Sequence, residues 1–147
     1  MKGKLGNDCE EVKHEPEVLE CLVEAAKVGF KVISITCGDA HTLAALKCMN
    51  QSLRDTHKLF IWGKNDKGQL GIDDEVAQQV AVPTQISQDP DPFDDKLMSV
   101  HAGPSSYSAA LTTEGAVYTW GNGMFGRLGY VAKQHYEPKL VQSLSGV

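Results

Sequence analysis

Short stretches in which apolar and polar residues alternate recur along this chain, and Gly-rich segments separate them. The stretch "KVISIT" (31–36) places Ile33 and Ile35 on one face, and Met98 and Val100 repeat the arrangement later. A period of two is typical of a strand with one buried face. The pattern therefore predicts an all-β protein.

Small residues fill two further predicted strands, "HTLAAL" (41–46) and "YSAAL" (107–111), which suits strands packed closely between neighbouring sheets. Residues 113–115 (Thr-Glu-Gly) are a turn signal leading into another apolar stretch, which predicts a hairpin. The competing pattern is a helical stripe over residues 17–28. At most a short helix or turn is expected there, because the matching segments of the other repeats lack a helical pattern.

The alternating pattern repeats together with its glycines. "FIWGKNDKGQLG" (60–71) aligns with "YTWGNGMFGRLG" (118–129) at a spacing of 58 residues. Upstream, "VISITCGDAHTLAAL" (32–46) aligns with "LMSVHAGPSSYSAAL" (97–111) at a spacing of 65 residues. A partial third copy, "KGKLG" (2–6), matches the "KGQLG" of the complete repeat. The chain is therefore an array of similar units.

A period of about 60 residues with short strands and Gly-rich turns predicts a β-propeller, in which four-stranded antiparallel blades bury their faces against one another. The longer upstream spacing is attributed to extra residues in one hairpin, where insertions are tolerated best. The predicted division of this single propeller domain is the end of one repeat (1–29), a complete repeat (30–96) with a hairpin insertion (47–58), and a second, nearly complete repeat (97–147).

The recurring marks resemble the regulator-of-chromosome-condensation repeat, which has a strand ending in Cys-Gly, a His-Thr strand, a hairpin, Trp-Gly, Gly-Gln-Leu-Gly and a proline. In the complete repeat these marks are Cys37, Gly38, His41, Thr42, Trp62, Gly63, Gly68, Gln69, Leu70, Gly71 and Pro83. The second copy keeps Gly103, Trp120, Gly121, Gly126, Leu128, Gly129 and Pro138. It departs at Ala102, Ser106, Tyr107 and Arg127, where the pattern has Cys, His, Thr and Gln.

The resemblance implies a seven-bladed ring, and seven units of this length need roughly 400 residues. This chain holds about two and a half repeats, so it is expected to be a segment of a larger ring, because repeats bury their core only against neighbours. Three alternatives remain open at this point: a fragment of a larger protein, a truncated gene model, and the resolved part of a large subunit.

The segment "GNGMFG" (121–126) has the G-x-G-x-x-G spacing of a dinucleotide-binding loop. Such a loop must open a helix that faces the pyrophosphate. Here "RLG" follows without an amphipathic run, and the sister segment "GKNDKG" (63–68) lacks the central glycine. No cofactor is therefore predicted. Gly123 is interpreted as incidental, and Gly121, Gly126 and Gly129 as structural.

Composition narrows the function classes. The 147 residues carry a formal net charge of −5 and no basic cluster, which disfavours nucleic-acid binding. The sequence shows neither an apolar signal core nor a run near the roughly 20 residues that span a bilayer. Its four cysteines match no Cys-x-x-Cys pattern. We expect reduced thiols and a cytoplasmic or nuclear protein.

His41 is a candidate for acid–base chemistry, because Asp39 and Thr42 lie beside it. Its place in the repeat favours a structural role, a hydrogen bond to a loop. Trp62 and Trp120 recur before a glycine and are interpreted as packing residues between blades. Histidines elsewhere lack a second ligand at metal spacing. No catalytic, cofactor or metal site is predicted.

Two acidic loops are the candidate partner-binding rim, because propeller loops gather at the two ends of the ring. They are "GIDDEVAQQV" (71–80) and "SQDPDPFDDK" (87–96), and Phe93 is expected to be an exposed anchor. The alternative is a pair of solvated loops. The insertion 47–58 is a further, mildly basic candidate. The candidate rim residues are Asp73, Asp74, Glu75, Asp89, Asp91, Phe93, Asp94 and Asp95.

Function is expected to reside in what these loops bind. The first hypothesis is a non-catalytic protein–protein interaction propeller, a scaffold or targeting module of a larger protein or complex. The resemblance implies two alternatives, a guanine-nucleotide exchange factor for a Ran-like small GTPase and a substrate-recruiting propeller of a ubiquitin ligase. In each case the partner is another protein, and fold alone does not choose among them.

Overall fold

The computed structural model describes residues 4–8, 13–50, 56–72, 78–86, 91–93 and 96–144. A short helix precedes eight strands. In chain order these are α1 (Glu20–Lys27), β1 (Phe30–Cys37), β2 (His41–Cys48), β3 (His57–Lys64), β4 (Gln79–Gln85), β5 (Leu97–Gly103), β6 (Tyr107–Thr112), β7 (Val117–Asn122) and β8 (Gln134–Leu140). Two 3₁₀ helices cover Met124–Gly126 and Gln142–Leu144.

The strands form two four-stranded antiparallel sheets, β1-β2-β3-β4 and β5-β6-β7-β8, in which sequential strands are neighbours. This confirms the predicted architecture. The first strand pair of each sheet carries a bulge at the same place, between Val32 and Ser34 and between Leu97 and Ser99. A bulge bends a strand and increases its twist, so both sheets receive the same local distortion.

The predicted hairpin insertion lengthens two strands. Lys47 pairs with His57, and Leu46 pairs with Lys58. As a result β2 and β3 have eight residues each, whereas β6 and β7 have six each. The two ends of the insertion are therefore sheet rather than loop, and its residues 51–55 lie outside the described part of the chain.

The two sheets pack face to face over a shared apolar core. The first sheet contributes Leu43 and Ile61, and the second contributes Val100 and Trp120, all at most 1% exposed. On its other face, the first sheet packs against α1 and the residues before it. That second cluster comprises Leu19, Leu22, Ala25, Phe30, Ala44, Leu46, Cys48, Phe60 and Trp62.

Equivalent positions of the two sheets differ in burial because each sheet has different neighbours. Val100 faces the first sheet and is 1% exposed, whereas its counterpart Ile35 is 57% exposed. Strand β2 is buried on both faces over most of its length, whereas β6 alternates between buried and half-buried residues. One face of the second sheet is therefore less covered than the same face of the first.

Candidate functional site

A set of buried hydrogen bonds joins the two sheets around the backbone carbonyl of Gln69, in the loop after β3. The Trp120 indole donates to this carbonyl at 3.0 Å, and the Ser108 hydroxyl donates at 2.7 Å. The His41 Nε2 lies 2.9 Å from the Ser108 oxygen. Because Ser108 gives its single proton to Gln69, the His41 Nε2 carries a proton and donates it to Ser108.

His41 is neutral in this environment. Its side chain is 1% exposed, and its Nδ1 has no hydrogen-bond partner among the described residues. Burial lowers the pKa of His41 to about 4, against the opposing effects of the Tyr107 backbone and the Asp39 carboxylate. The proton of Ser108 is already directed at a carbonyl, and neither side chain is open to a substrate. The pair is therefore a structural link between the sheets.

The contact between an indole and a loop carbonyl occurs twice. Trp62 in β3 donates to the carbonyl of Lys4 at 3.0 Å, as Trp120 in β7 does to that of Gln69. A glycine lies under each indole, and a Cβ there would be 3.1 Å from Trp62 Nε1 at Gly6 and 2.8 Å from Trp120 Nε1 at Gly71. Tryptophan and Leu-Gly recur together because the indole ring occupies the space that a side chain would need.

The strand pairing corrects the alignment of the two repeats. The pairs that decide it are His41 with Gly63, Thr42 with Trp62, Tyr107 with Gly121 and Ser108 with Trp120. Tyr107 and Ser108 therefore take the His-Thr positions, and the assignment of Ser106 and Tyr107 to them was wrong. The turn before β6 is one residue longer than the turn before β2. In that turn Ser105 and Ser106 adopt φ values of +68° and +63°.

Gly123 is not incidental, contrary to the interpretation from the repeats. A Cβ at this position would lie 2.1 Å from the carbonyl oxygen of Ala132, and the Gly123 N–H donates to Lys133 at 2.9 Å. The backbone of the neighbouring segment therefore leaves no room for a side chain at Gly123. At Gly126, by contrast, a Cβ would meet nothing within 4 Å, and the φ of +73° is what favours glycine.

The predicted acidic rim is largely outside the described residues. The undescribed members are Asp73, Asp74, Glu75, Asp89, Asp94 and Asp95. The first acidic loop ends in the first residues of β4, and the second follows the end of β4. A strand of seven residues is about 20 Å long, so the described residues that flank the two loops lie at opposite ends of the sheet.

The expectation that Phe93 is an exposed anchor was wrong. Phe93 is 4% exposed, and its ring contacts Tyr118 edge-on at 5.3 Å and Trp120 at 6.2 Å. Asp91 supports this position, because its carboxylate accepts a hydrogen bond from the Phe93 N–H at 3.1 Å. The segment that connects the two sheets therefore buries Phe93 in the shared core.

The loop after β7 presents an apolar surface that the sequence reasoning missed. Phe125 is 91% exposed and Met124 is 54% exposed, and Val131 is fully exposed. A groove of about 690 Å³ runs between these residues and is bordered by Lys133. The signal lay in the aligned loops, because the charged Asp66 and Lys67 of the first loop stand where the second has Met124 and Phe125.

Two further properties concern only the described ranges. Within them, no group of three or more His, Cys, Asp or Glu side chains could hold a metal ion. No helix in the same ranges has the length and apolar character needed to cross a bilayer.

Comparison with known proteins gives the repeats a family. The model of the regulator of chromosome condensation (RCC1) repeat matches residues 56–111 and 114–147. The chain belongs to the RCC1 repeat family. The first matched RCC1 repeat begins at the start of β3 and continues through β6, so it contributes strands to both sheets. The matched repeat is therefore offset from the sheets by two strands.

Several relatives of this chain are large proteins. It is 36% identical over 98% of its length to the mouse E3 ubiquitin-protein ligase HERC2, of which it spans 3%. It is 33% identical over 78% of its length to the human probable E3 ubiquitin-protein ligase HERC4, of which it spans 10%. The chain therefore corresponds to a small part of each of these ligases.

A solved structure shows the same fold. Prp20p from Saccharomyces cerevisiae matches with a TM-score of 0.57 and 29% identity, over 79% of this chain and 26% of that one. The two sheets are thus a partial match to the seven-bladed propellers of the RCC1 family.

Proposed function

We propose that this chain is part of a non-catalytic protein–protein interaction propeller that serves as a scaffold or targeting module of a larger protein or complex. The observation that carries the proposal is the use of the buried polar and aromatic residues at the junction of the two sheets. The first sheet is held to the second by the hydrogen bonds of His41, Ser108 and Trp120. The loops after β3 and β7 carry different side chains, Asp66 and Lys67 in one and Met124 and Phe125 in the other, at positions that a partner can reach.

The acidic segment before β5 is one proposed contact, and charge reversal tests it. Asp89, Asp94 and Asp95 are changed to lysine, while Asp91 is kept because it bonds to the backbone of Phe93. The matched control reverses three exposed glutamates elsewhere, Glu15, Glu20 and Glu24. Affinity capture with quantitative mass spectrometry should show loss of specific partners only for the aspartate variant. Equal capture by the parent and both variants would exclude this segment as a contact.

A second candidate function is recruitment of substrates to a ubiquitin ligase, which the likeness to HERC2 and HERC4 favours. The test compares the full-length protein with a version that lacks the region of this chain. A captured partner should carry less ubiquitin when the region is deleted. Unchanged ubiquitin modification of every captured partner would exclude substrate recruitment and leave the scaffold function as the remaining proposal. Acceleration of GDP release from a small GTPase would favour the exchange-factor alternative over both.

A further inference from the structure

We propose that the loop after β7 docks an acidic and partly apolar segment of a partner protein, which Phe125 and Arg127 bind together. This inference rests on the proposed interaction function and names the chemistry of its partner. The loop lies at the end of the sheet where the turn between β5 and β6 also lies, and Tyr107 begins β6 there. Three features of this loop support the proposal.

The first feature is an aromatic side chain held in solvent by a strained backbone. Phe125 is 91% exposed and has a φ of +61° and a ψ of +23°. This left-handed conformation is an outlier for a bulky residue and is maintained only where the surroundings enforce it. Here the Met124 N–H donates to the Asn122 side chain at 3.1 Å, and the Arg127 Nε donates to the Met124 carbonyl at 2.7 Å. The loop is thus fixed with its aromatic ring outward.

The second feature is a guanidinium group placed between two rings. The Arg127 guanidinium carbon lies 5.7 Å from the centroid of Tyr107 and 5.7 Å from that of Phe125. Besides the bond to Met124, Arg127 donates to the Ser105 carbonyl at 3.2 Å. A guanidinium has five N–H donors, so three stay without a hydrogen bond among the described residues. A carboxylate is the side chain that uses such a planar set of donors best.

The third feature is the contrast with the loop after β3, which has the same place in the first sheet. Gln69 stands there in place of Arg127 and folds back on its own loop, accepting from the Lys67 N–H at 2.9 Å and donating to Asp66 at 3.2 Å. That loop has neither an exposed aromatic residue nor an outward guanidinium. The docking features therefore do not come from the needs of the fold.

A neighbouring sheet does not account for the exposed phenylalanine. The second sheet covers the loop after β3 closely, since a Cβ at Gly68 would be 2.9 Å from the His135 carbonyl oxygen. Lys67, the counterpart of Phe125, nevertheless stays exposed. A sheet packed in the same way against the second loop would cover Gly126 and leave Phe125 accessible.

The partner is identified by its complement to these groups. The aromatic face of Phe125 binds an apolar side chain best, and the free donors of Arg127 bind a carboxylate beside it. Lys133 at the border of the groove adds a second positive charge. Arginine between aromatic rings could also hold single-stranded nucleic acid, but the net charge of −5 opposes it.

The test uses a phage-displayed library of random linear peptides, panned against the purified protein that carries this chain. Enriched peptides should place Asp or Glu next to an aromatic or aliphatic residue. F125K and R127Q introduce the residues found at these positions in the loop after β3, Lys67 and Gln69. Each should weaken binding of a synthetic enriched peptide roughly tenfold or more. F125G should weaken it equally and relieve the backbone strain, so its loss of binding cannot come from misfolding. K67A is the matched control and should bind as the parent does.

Three results would overturn the inference. Parental affinity in F125K and R127Q would place the peptide elsewhere, and the interaction function would then survive without this site. Enriched peptides without carboxylates, or no enrichment at all, would remove the proposed partner chemistry. Displacement of the peptide by single-stranded RNA at a lower concentration than by the peptide itself would assign the surface to nucleic acid. Failure of the interaction function is a separate result, since it appears as capture of no protein by the parent chain.

Discussion

Acid should loosen the junction between the two sheets through His41. The group is neutral in the folded protein, and burial lowers its pKa from the ordinary 6.5 to about 4. Between these two values the unfolded chain binds a proton that the folded chain does not bind. Stability is therefore complete above pH 6.5 and falls as the pH is lowered toward 4. The His41→Gln variant removes the titrating group and can still donate a hydrogen bond toward Ser108.

The size of the effect follows from the two pKa values. One pKa unit corresponds to about 1.4 kcal/mol. Protonation of His41 in the unfolded chain should lower the free energy of unfolding by about 2 kcal/mol between pH 7 and pH 5, and by about 3 kcal/mol once pH 4 is reached. Against a typical domain stability of about 5–15 kcal/mol, this is a large fraction.

Urea unfolding followed by tryptophan fluorescence measures the effect, because Trp120 lies in the same junction. The difference between the parent and His41→Gln isolates the histidine from carboxylates that titrate at lower pH. His14 is exposed, so His14→Gln is the matched control and should keep the parental pH dependence. A pH dependence that His41→Gln shares with the parent, or a folded-state His41 that titrates near pH 6.5 by NMR, would refute the reasoning.

Four further predictions concern stability and are checked by the same unfolding measurement. Gly121→Ala should cost about 3 kcal/mol, because a Cβ there would lie 2.7 Å from the Ser106 carbonyl oxygen at a φ of +97°. Gly115→Ala has a φ of +81° but no neighbour within 4 Å, so it should cost only about 1 kcal/mol; equal costs would contradict the crowding. Phe125→Gly should stabilise the protein by about 1 kcal/mol, and an unchanged stability would mean that the strain at Phe125 is no larger than the entropy cost of glycine. Trp120→Phe should cost about 2 kcal/mol through the lost indole hydrogen bond and a small cavity, and a loss below half of that would show that the bond contributes little.

The repeats made the architecture predictable. Tryptophan, Leu-Gly and the small-residue strands recur because each sheet must meet the next in the same way, and that shared requirement leaves the same residues at the same spacing. The strands and their four-stranded order followed from this periodicity. The short helix α1 was foreseeable only as a possibility, because the sequences that follow β4 and β8 lack its helical pattern and its residues pack on Phe30 and Trp62.

The residues that sequence reasoning placed wrongly depend on contacts distant in the chain. Phe93 lies among prolines and aspartates, which suggests a solvated loop, but the ring fills a space bordered by Tyr118 and Trp120. Tyr107 was misaligned because an extra turn residue shifts β6 by one position, and only its pairing with Gly121 shows this. Local composition therefore predicts neither the cavity that a distant ring fills nor the register in which two strands pair.

The same physical division explains why family membership does not choose the partner. The residues that identify the RCC1 repeat are consumed in sheet-to-sheet contacts, so they are shared by proteins with unrelated activities. The loop after β3 and the loop after β7 share two glycines and a leucine within one chain, yet one carries Lys67 and the other Phe125 at the same position. A loop can therefore exchange a charge for an exposed aromatic ring while the glycines and leucine of the repeat are kept. If the proposed docking is correct, substitutions at such positions should change binding without loss of the fold.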